Sequence, residues 1–280
     1  MDKHQKTSLL DTSRITQPDV QSAQKESLTY LIDSHCHLHD REFFTAEQAE
    51  EMLTRAKKVG VEKIVCIGTD PKDSLAARDF AEKNEGVYWT YGIHPENSTS
   101  KDSDSDFPSA ELEFFGTPSL PVAIGEVGLD YHYDGYDREA QIRLFEEMLQ
   151  LAHDNNLPLV FHVREAFDDF FPIIANFPKA RGVVHSFTDN KKNLRKILEA
   201  TDFLVGVNGL ATYSTLPTPP IDRILLETDA PFLTPIPFRG IINEPAYVRE
   251  ISLWLAKKLN ITPEEVGKET TKNARELYGF

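Results

Sequence analysis

The sequence predicts a (β/α)8 barrel, and three observations support this fold class. The chain has 280 residues with 40% hydrophobic side chains, which is enough for one large α/β core. Short apolar runs rich in Val, Ile and Leu recur from Tyr30 onward, and most are separated by stretches with helical periodicity. No Gly-x-Gly-x-x-Gly motif follows the first run, which disfavours an open dinucleotide-binding sheet. Strands that alternate with helices are parallel, and eight such strands favour a closed barrel.

Eight strands and five helices are predicted in chain order. The strands cover residues 30–33, 63–68, 87–93, 122–126, 159–163, 182–186, 203–207 and 224–227. The helices cover residues 45–59, 74–83, 138–155, 190–200 and 246–259. Thr45 followed by Gln48 resembles a capping box, and Gly60 occupies the position where the first helix would end.

Three segments fall outside this alternation. Residues 1–28 are polar and aperiodic, and we expect them to form a flexible N-terminal extension of a barrel domain that covers residues 29–280. Residues 96–107 are acidic and Ser-rich, which is typical of a solvated loop. Residues 211–222 are proline-rich and cannot form an ordinary crossover helix, so the barrel is expected to be irregular or open between strands seven and eight.

Composition limits the classes of protein that fit. The formal charge of −15 opposes sequence-independent coating of nucleic acid, although a local cationic pocket supplied by metal ions is compatible with it. No apolar run approaches the ~20 residues of a membrane span. The two cysteines cannot form a disulfide framework, and the first 28 residues lack the apolar region of a signal peptide. A cytoplasmic protein is therefore expected.

The stretch IDSHCHLHD at the end of the first predicted strand is a candidate metal site. Side chains alternate across a strand, so His35 and His37 face the same side and Cys36 faces the opposite side. A redox role for Cys36 lacks a partner, because Cys66 belongs to a different strand. A lone His-x-His is more often a polar strand end than a metal site. Its assignment as a metal site therefore depends on whether the other strand ends also carry ligand side chains.

Histidine and carboxylate side chains also end four later predicted strands. They are Glu126, His162, His185 and Asp229. The carboxyl ends of barrel strands meet at one rim, and six nitrogen and oxygen ligands exceed what one tetrahedral ion takes. The pattern therefore predicts two divalent ions ~3.5–4 Å apart, with Glu126 best placed to bridge them. The absence of a thiolate favours Zn²⁺, Mn²⁺, Ni²⁺ or Fe²⁺ over Mg²⁺.

From residue 30 to residue 280 the sequence resembles the TatD family of metal-dependent deoxyribonucleases, within the amidohydrolase superfamily. The matching stretches, in order, are DSHCHL, GIHP, IGEVGLDY, PLVFHVREA, HSF, LLETDAPFL, an RG…NEP pair and TTKNARELYGF. The resemblance implies that His35 and His37 hold one ion, and that His162 and His185 hold the other. It further implies that Glu126 bridges the ions and that Asp229 binds metal beside the attacking water.

Three further residues are predicted to contact substrate. The resemblance implies that His94 contacts the scissile phosphate, and a hydrogen-bonded strand-end histidine is the alternative. Arg164 follows His162 by two residues and points to the same rim, where it could clamp phosphate or form a structural ion pair. Tyr131 could stack a base, and Asp130 is a plausible neighbour of the substrate at the rim.

The function that the resemblance implies is hydrolysis of DNA, as a 3′–5′ exonuclease on single strands. Asp229 would accept a proton from the metal-activated water, beside Glu126. We expect a monomer that acts on short single-stranded DNA, without membrane contact and without a stable protein partner. One alternative is a hydrolase acting at carbon, such as a D-aminoacyl-tRNA deacylase. The other is a non-enzymatic metal-binding protein, against which the complete ligand set argues.

Overall fold

The computed structural model describes residues 30–98 and 119–280. The predicted extension over residues 1–28 and most of the predicted acidic loop lie outside these ranges. Eight parallel strands form one sheet in sequential order. They are β1 (Leu31–Cys36), β2 (Val61–Cys66), β3 (Val87–Tyr91), β4 (Ala123–Asp130), β5 (Leu159–Arg164), β6 (Gly182–Val184), β7 (Leu204–Val207) and β8 (Ile224–Leu226).

The last strand returns to the first, which confirms the predicted barrel. The segment after β8 bonds to β1 through Asp229 N to His35 O at 2.8 Å and His37 N to Ala230 O at 2.8 Å. Asp33 strengthens this seam, because its carboxylate accepts from the backbone N of Thr228 at 2.8 Å and from its hydroxyl at 2.6 Å. The closure places Asp229 beside the histidines of β1.

Seven α-helices lie within the described ranges. They are α1 (Ala46–Lys58), α2 (Pro71–Lys83), α3 (Arg138–Asp154), α4 (Phe167–Ile174), α5 (Lys191–Ala200), α6 (Val248–Leu259) and α7 (Pro263–Tyr278). The predicted capping box is present, since Thr45 Oγ1 accepts from Gln48 N at 3.2 Å and Gln48 Oε1 accepts from Thr45 N at 2.8 Å. Within residues 30–98 and 119–280, no helix is both long enough and apolar enough to span a bilayer.

The crossover between β7 and β8 is irregular, as the proline-rich segment predicts. It contains two short 3₁₀ helices, Gly209–Thr212 and Ile221–Arg223, and no α-helix. Helix α7, which the apolar pattern did not predict, packs beneath this region. Asn273 on α7 donates from Nδ2 to the carbonyls of Ile221 and Ile224 at 3.0 and 2.9 Å. These two hydrogen bonds anchor the end of the crossover, which has no α-helix of its own.

Apolar side chains form two layers, one inside the barrel and one between the barrel strands and the surrounding helices. The inner cluster takes residues from most strands, among them Ile32, Val65, Val160, Val183 and Leu225. Their neighbours along each strand pack outward in the larger cluster. Because side chains alternate, the inner row continues from Val160 to His162 and from Val183 to His185, toward the carboxyl ends. Polar residues therefore complete the stack at that end of the barrel.

Two register irregularities direct the remaining polar residues inward. β1 carries one extra residue between Asp33 and Cys36 relative to β2, and β4 carries one between Gly125 and Val127 relative to β5. An extra residue of this kind reverses the alternation, and in β4 the extra residue is Glu126.

A glycine lets β4 approach β5 closely beside this irregularity. Gly128 has φ +146°, and a Cβ there would lie 2.0 Å from the carbonyl oxygen of His162. Any larger residue at this position would push apart the strands that carry Glu126 and His162.

Candidate metal centre

The six predicted ligands converge at the carboxyl end of the barrel. On the β1 side, Asp229 Oδ1 lies 3.5 Å from His35 Nε2 and 3.6 Å from His37 Nε2. His35 is fully buried, and neither of its ring nitrogens has a hydrogen-bond partner in the described part of the chain. Cys36 packs in the outer apolar layer, as the alternation predicts.

The centre has two halves, one formed by His35, His37 and Asp229 and the other by His162 and His185, and Glu126 lies between them. Its Oε2 lies 3.4 Å from His35 Nε2 on the β1 side. Its Oε1 lies 2.6 Å from His162 Nδ1 and 2.9 Å from His185 Nε2. One carboxylate oxygen therefore faces His35 and the other faces His162 and His185, which is the arrangement that a bridging carboxylate requires.

These residues fit a divalent cation. Ligand atoms about 2.1 Å from a shared tetrahedral ion lie about 3.4 Å from one another. The separations of 3.4–3.6 Å around His35 Nε2 and Asp229 Oδ1 match that value. Each of the six residues belongs to at least one group of side chains in the described ranges that could hold an ion. The unpartnered nitrogens of His35 are consistent with this use.

Partners behind the histidines fix the direction of each ring. His37 Nδ1 faces the carbonyl oxygen of Ile67 at 3.1 Å, so it carries the proton and leaves Nε2 for the centre. His162 Nε2 lies 2.8 Å from Asp130 Oδ2, which leaves Nδ1 facing Glu126. The interpretation of Asp130 as a residue of the substrate rim is wrong. β4 continues four residues past its predicted end and buries this carboxylate against His162.

Glu227 is a member of the centre that the sequence reasoning missed. It is fully buried, and its Oε1 lies 3.6 Å from His185 Nδ1 and accepts from Ser186 N at 2.6 Å. The signal is present in the sequence, because Glu227 is an acidic residue at the end of the eighth predicted strand and therefore at the same rim as the other ligands.

Close contacts between carboxylates and imidazoles shift the pKa values of Glu126, His185 and Asp229. Burial opposes ionisation of Glu126, but the neighbouring His185 and His162 hold the pKa of this carboxyl well below its usual range. Burial likewise opposes the charge on His185, yet Glu126 raises the pKa of its ring well above the ordinary value. Burial also opposes ionisation of Asp229, but the neighbouring His37 and His35 rings lower the pKa of this carboxyl. The carboxylates are therefore anionic, as metal ligands must be.

His94 lies inside the cluster rather than at its edge. Its Nε2 is 3.3 Å from His162 Nδ1 and 3.7 Å from Glu126 Oε1. Burial and the neighbouring His162 lower the pKa of His94 to about 3, so its ring is neutral. Its Nδ1 accepts from Glu96 N at 3.2 Å, which places the single ring proton on Nε2. This N–H points into the centre.

Arg164 and Tyr131 lie at the mouth of the centre. Within the described ranges Arg164 forms no ion pair with a carboxylate, and its guanidinium lies 5.3 Å from the ring centroid of Tyr133. The Tyr131 hydroxyl donates to Asp169 at 2.8 Å, and its ring stacks on Tyr136 at 4.6 Å. One face of the Tyr131 ring is thus covered by another aromatic side chain.

The loop after β8 carries structural contacts. Asn243 donates from Nδ2 to the carbonyls of Thr228 and Phe232 at 2.8 and 2.6 Å. Glu244 pairs with Arg55 of α1, with Oε2 2.6 Å from Nη2. These contacts hold the turn that carries Asp229.

The two cysteines stand closer than the sequence reasoning expected. Cys36 and Cys66 lie directly opposite each other in the register of β1 and β2, and both are buried free thiols. Cys66 does belong to a different strand, as expected, but the inference that Cys36 therefore has no neighbouring cysteine is wrong. Burial raises the pKa of Cys36 well above the usual value, so this side chain is a thiol.

Comparisons with known proteins agree with this geometry. A family model described as TatD related DNase matches residues 32–279. A Bacillus subtilis protein described as the uncharacterized metal-dependent hydrolase YabD is 34% identical over 257 residues, which cover 89% of this chain and 98% of the relative.

A second relative and a solved structure extend the match. An Erwinia billingiae protein named 3′-5′ ssDNA/RNA exonuclease TatD is 31% identical over 248 residues, covering 83% of this chain and 94% of the relative. The crystal structure of the Escherichia coli K12 protein YJJV, described as a TatD homologue, matches with a TM-score of 0.81 at 27% identity. That match covers 90% of this chain and 99% of YJJV.

Proposed function

This chain belongs to the TatD-related DNase family and is a metal-dependent hydrolase, and we propose that it removes nucleotides from the 3′ end of single-stranded DNA. The observation that carries the proposal is the convergence of six nitrogen and oxygen donors around Glu126. The name of the Erwinia relative supports the polarity and the choice of single strands. We further propose that the protein acts as a cytoplasmic monomer on short strands, without a stable protein partner.

The proposed centre takes two divalent ions, of Zn, Mn, Ni, Fe or Mg. His35 and His37 would hold one and His162 and His185 the other, with Glu126 between them and Asp229 on the β1 side. The ions would acidify the attacking water and offset charge on the phosphoryl oxygens. The protein supplies the geometry that keeps both ligand groups within reach of one phosphate.

The side chains of the chain have separate tasks in the proposed reaction. Asp229 accepts the proton of the attacking water, because its anionic carboxylate lies at the edge of the centre. His94 donates its Nε2 proton in a hydrogen bond to a phosphoryl oxygen. Arg164, which has no carboxylate partner among the described residues, binds the phosphate with its guanidinium.

The test compares the wild-type protein with Asp229→Asn in single-turnover cleavage of a 5′-labelled single strand. Asp229 has φ +57°, a left-handed conformation that asparagine tolerates, so the substitution preserves the backbone. Wild-type protein should give a ladder that shortens from the 3′ end. The variant should bind the strand but cleave it about 10²–10⁴-fold more slowly.

A substrate panel and metal analysis complete this test. Single-stranded DNA, RNA and D-aminoacyl-tRNA are offered to protein whose metal content has been measured by elemental analysis. About two ions per chain and preferential turnover of DNA are expected. Turnover of D-aminoacyl-tRNA alone, or wild-type cleavage rates in Asp229→Asn, would contradict the proposal.

A further inference from the structure

Exposed apolar side chains concentrate at the mouth of the metal centre. Among the residues that the structure describes, seven large apolar or aromatic side chains are exposed. Five of them lie in two loops at the carboxyl ends of strands, namely Tyr133 and Tyr136 after β4, and Phe232, Ile236 and Ile241 after β8. The other two precede β1 and β4, at the opposite end of the barrel. Exposed aromatic groups gathered around a polar centre are typical of a binding surface.

The two loops face each other across the centre. In a closed ring of eight strands in sequential order, β4 and β8 are four places apart and therefore lie on opposite sides. The β8 loop adjoins His37 and Asp229, whereas the β4 loop adjoins Asp130 and His162. Each loop thus borders one half of the metal centre.

Phe232 is held firmly although its side chain is 42% exposed. Its backbone N donates to Asp229 O at 2.8 Å, and its carbonyl accepts from Asn243 Nδ2 at 2.6 Å. The ring meets Phe43 edge-on at 5.3 Å and His37 at 6.4 Å between centroids. A rigid, exposed aromatic ring loses little conformational freedom when a flat ligand stacks on it.

The β4 loop offers a second aromatic surface. Tyr136, which is 43% exposed, stacks on Tyr131 at 4.6 Å with an angle of 10° between the rings. Tyr131 is anchored in turn by its hydroxyl on Asp169. Tyr133 lies in the same loop beneath the guanidinium of Arg164, which adds positive charge at this side.

We propose that these loops form two base-stacking subsites, one on each side of the scissile phosphate. A phosphate bound between the two halves of the centre carries one nucleoside toward Phe232 and the other toward Tyr136. Every base has a π-face, so both subsites accept any sequence and require a base at each position. The preferred substrate is therefore at least a dinucleotide with both bases present. This inference rests on the proposed function.

The test uses single strands in which an abasic nucleotide replaces the base on the 5′ or the 3′ side of one cleavable bond. Wild-type protein, Phe232→Ala and Tyr136→Ala are compared, with Leu120→Ala as the matched control because Leu120 is 57% exposed but precedes β4. On complete DNA each of the two aromatic variants should lower kcat/KM by about 5- to 150-fold, mainly through KM, as expected for one lost stack. Leu120→Ala should match the wild type.

The decisive result is the pattern of coupling between variant and substrate. For Phe232→Ala, removing the base at one position should leave kcat/KM unchanged, and removing the base at the other position should lower it as much as in the wild type. Tyr136→Ala should show the reverse pattern. Phe232→Trp should restore the wild-type pattern. Fluorescence of 2-aminopurine at each position should be quenched on binding, and each alanine variant should lose quenching at one position only.

The outcomes separate this inference from the proposed function. If wild-type protein cleaves DNA but each variant loses the same factor on every substrate, the stacking subsites are wrong and the proposed function stands. If wild-type protein with its metal ions cleaves no strand, both are overturned. Measured metal content and melting temperature show whether an alanine variant has lost more than its ring.

Discussion

His35 lies in β1 and His37 directly follows that strand, whereas His162 lies in β5 and His185 directly follows the neighbouring β6. In the first pair the main chain sets both the spacing and the orientation. The pleat of β1 after its extra residue turns both rings inward, and the carbonyl oxygen of Ile67 accepts from His37 Nδ1 at 3.1 Å. Among the described residues, neither ring hydrogen-bonds to a side chain outside the ligand set.

The second pair depends on carboxylates. Asp130 Oδ2 lies 2.8 Å from His162 Nε2, and Glu227 Oε1 faces His185 Nδ1 at 3.6 Å. A carbonyl oxygen is present whatever residue occupies its position, but a carboxylate can be removed by one substitution. The β5 and β6 half of the centre should therefore be the half that substitutions outside the ligand set can disturb.

The largest effect is expected from Glu126→Gln, because this side chain faces both pairs. The amide removes the negative charge that balances the imidazoles and leaves one coordinating oxygen in place of two. Metal content should fall in both halves, and DNA cleavage should decrease at least about 10³-fold. Elemental analysis and single-turnover cleavage measure the two quantities.

Glu165→Gln is the matched control for that substitution. Glu165 is an exposed carboxylate that pairs with His132 outside the centre. The Glu165→Gln protein should keep the metal content and the DNA cleavage rate of the wild type. A Glu126→Gln protein that holds two ions and cleaves at the wild-type rate would show that the shared carboxylate is not needed.

A smaller and more selective effect is expected from Asp130→Asn. Loss of the carboxylate weakens the basicity and orientation of His162, which should cost about 10–100-fold in metal affinity or activity. Metal titration should show one ion weakened and the other unchanged. The corresponding substitution behind His37, Ile67→Val, keeps the carbonyl and should leave both affinities unchanged, at a stability cost of about 0.5–1.5 kcal/mol. Equal weakening of both ions in Asp130→Asn would remove the distinction between the two pairs.

Much of this arrangement could be predicted from the sequence. Parallel strands bring their carboxyl ends to one rim, so polar residues at the ends of five apolar runs were expected to meet. The proline-rich segment before β8 likewise excluded an ordinary crossover helix. Both inferences depend on local composition and on the regular geometry of parallel strands, which a single sequence contains.

Other features depend on pairing between strands, which local pattern does not reveal. The extra residues in β1 and β4 are defined only by the register of the neighbouring strand, and Glu126 is itself such a residue. The inward position of Asp130 follows from the same register, and so does the placement of Cys36 opposite Cys66.

Helix α7 was missed for a different reason. It buries Thr270, Thr271 and Asn273, which hydrogen-bond to backbone carbonyls, so apolar periodicity does not mark its buried face.

The smallest effect should come from Cys36→Ala, which tests whether β1 separates its two faces. Cys36 lies between His35 and His37 in the chain, yet it packs in the outer apolar layer and its thiol has a raised pKa. A protonated thiol is a poor metal ligand, and its removal leaves only a small cavity. We expect metal content and cleavage within about twofold of the wild type, with a loss of about 1 kcal/mol in the free energy of unfolding. His35→Ala and His37→Ala, made in parallel, should each lose metal from the β1 side. If all three variants lose metal equally, the two faces of β1 are not distinct, and the main-chain control of the first histidine pair is refuted with them.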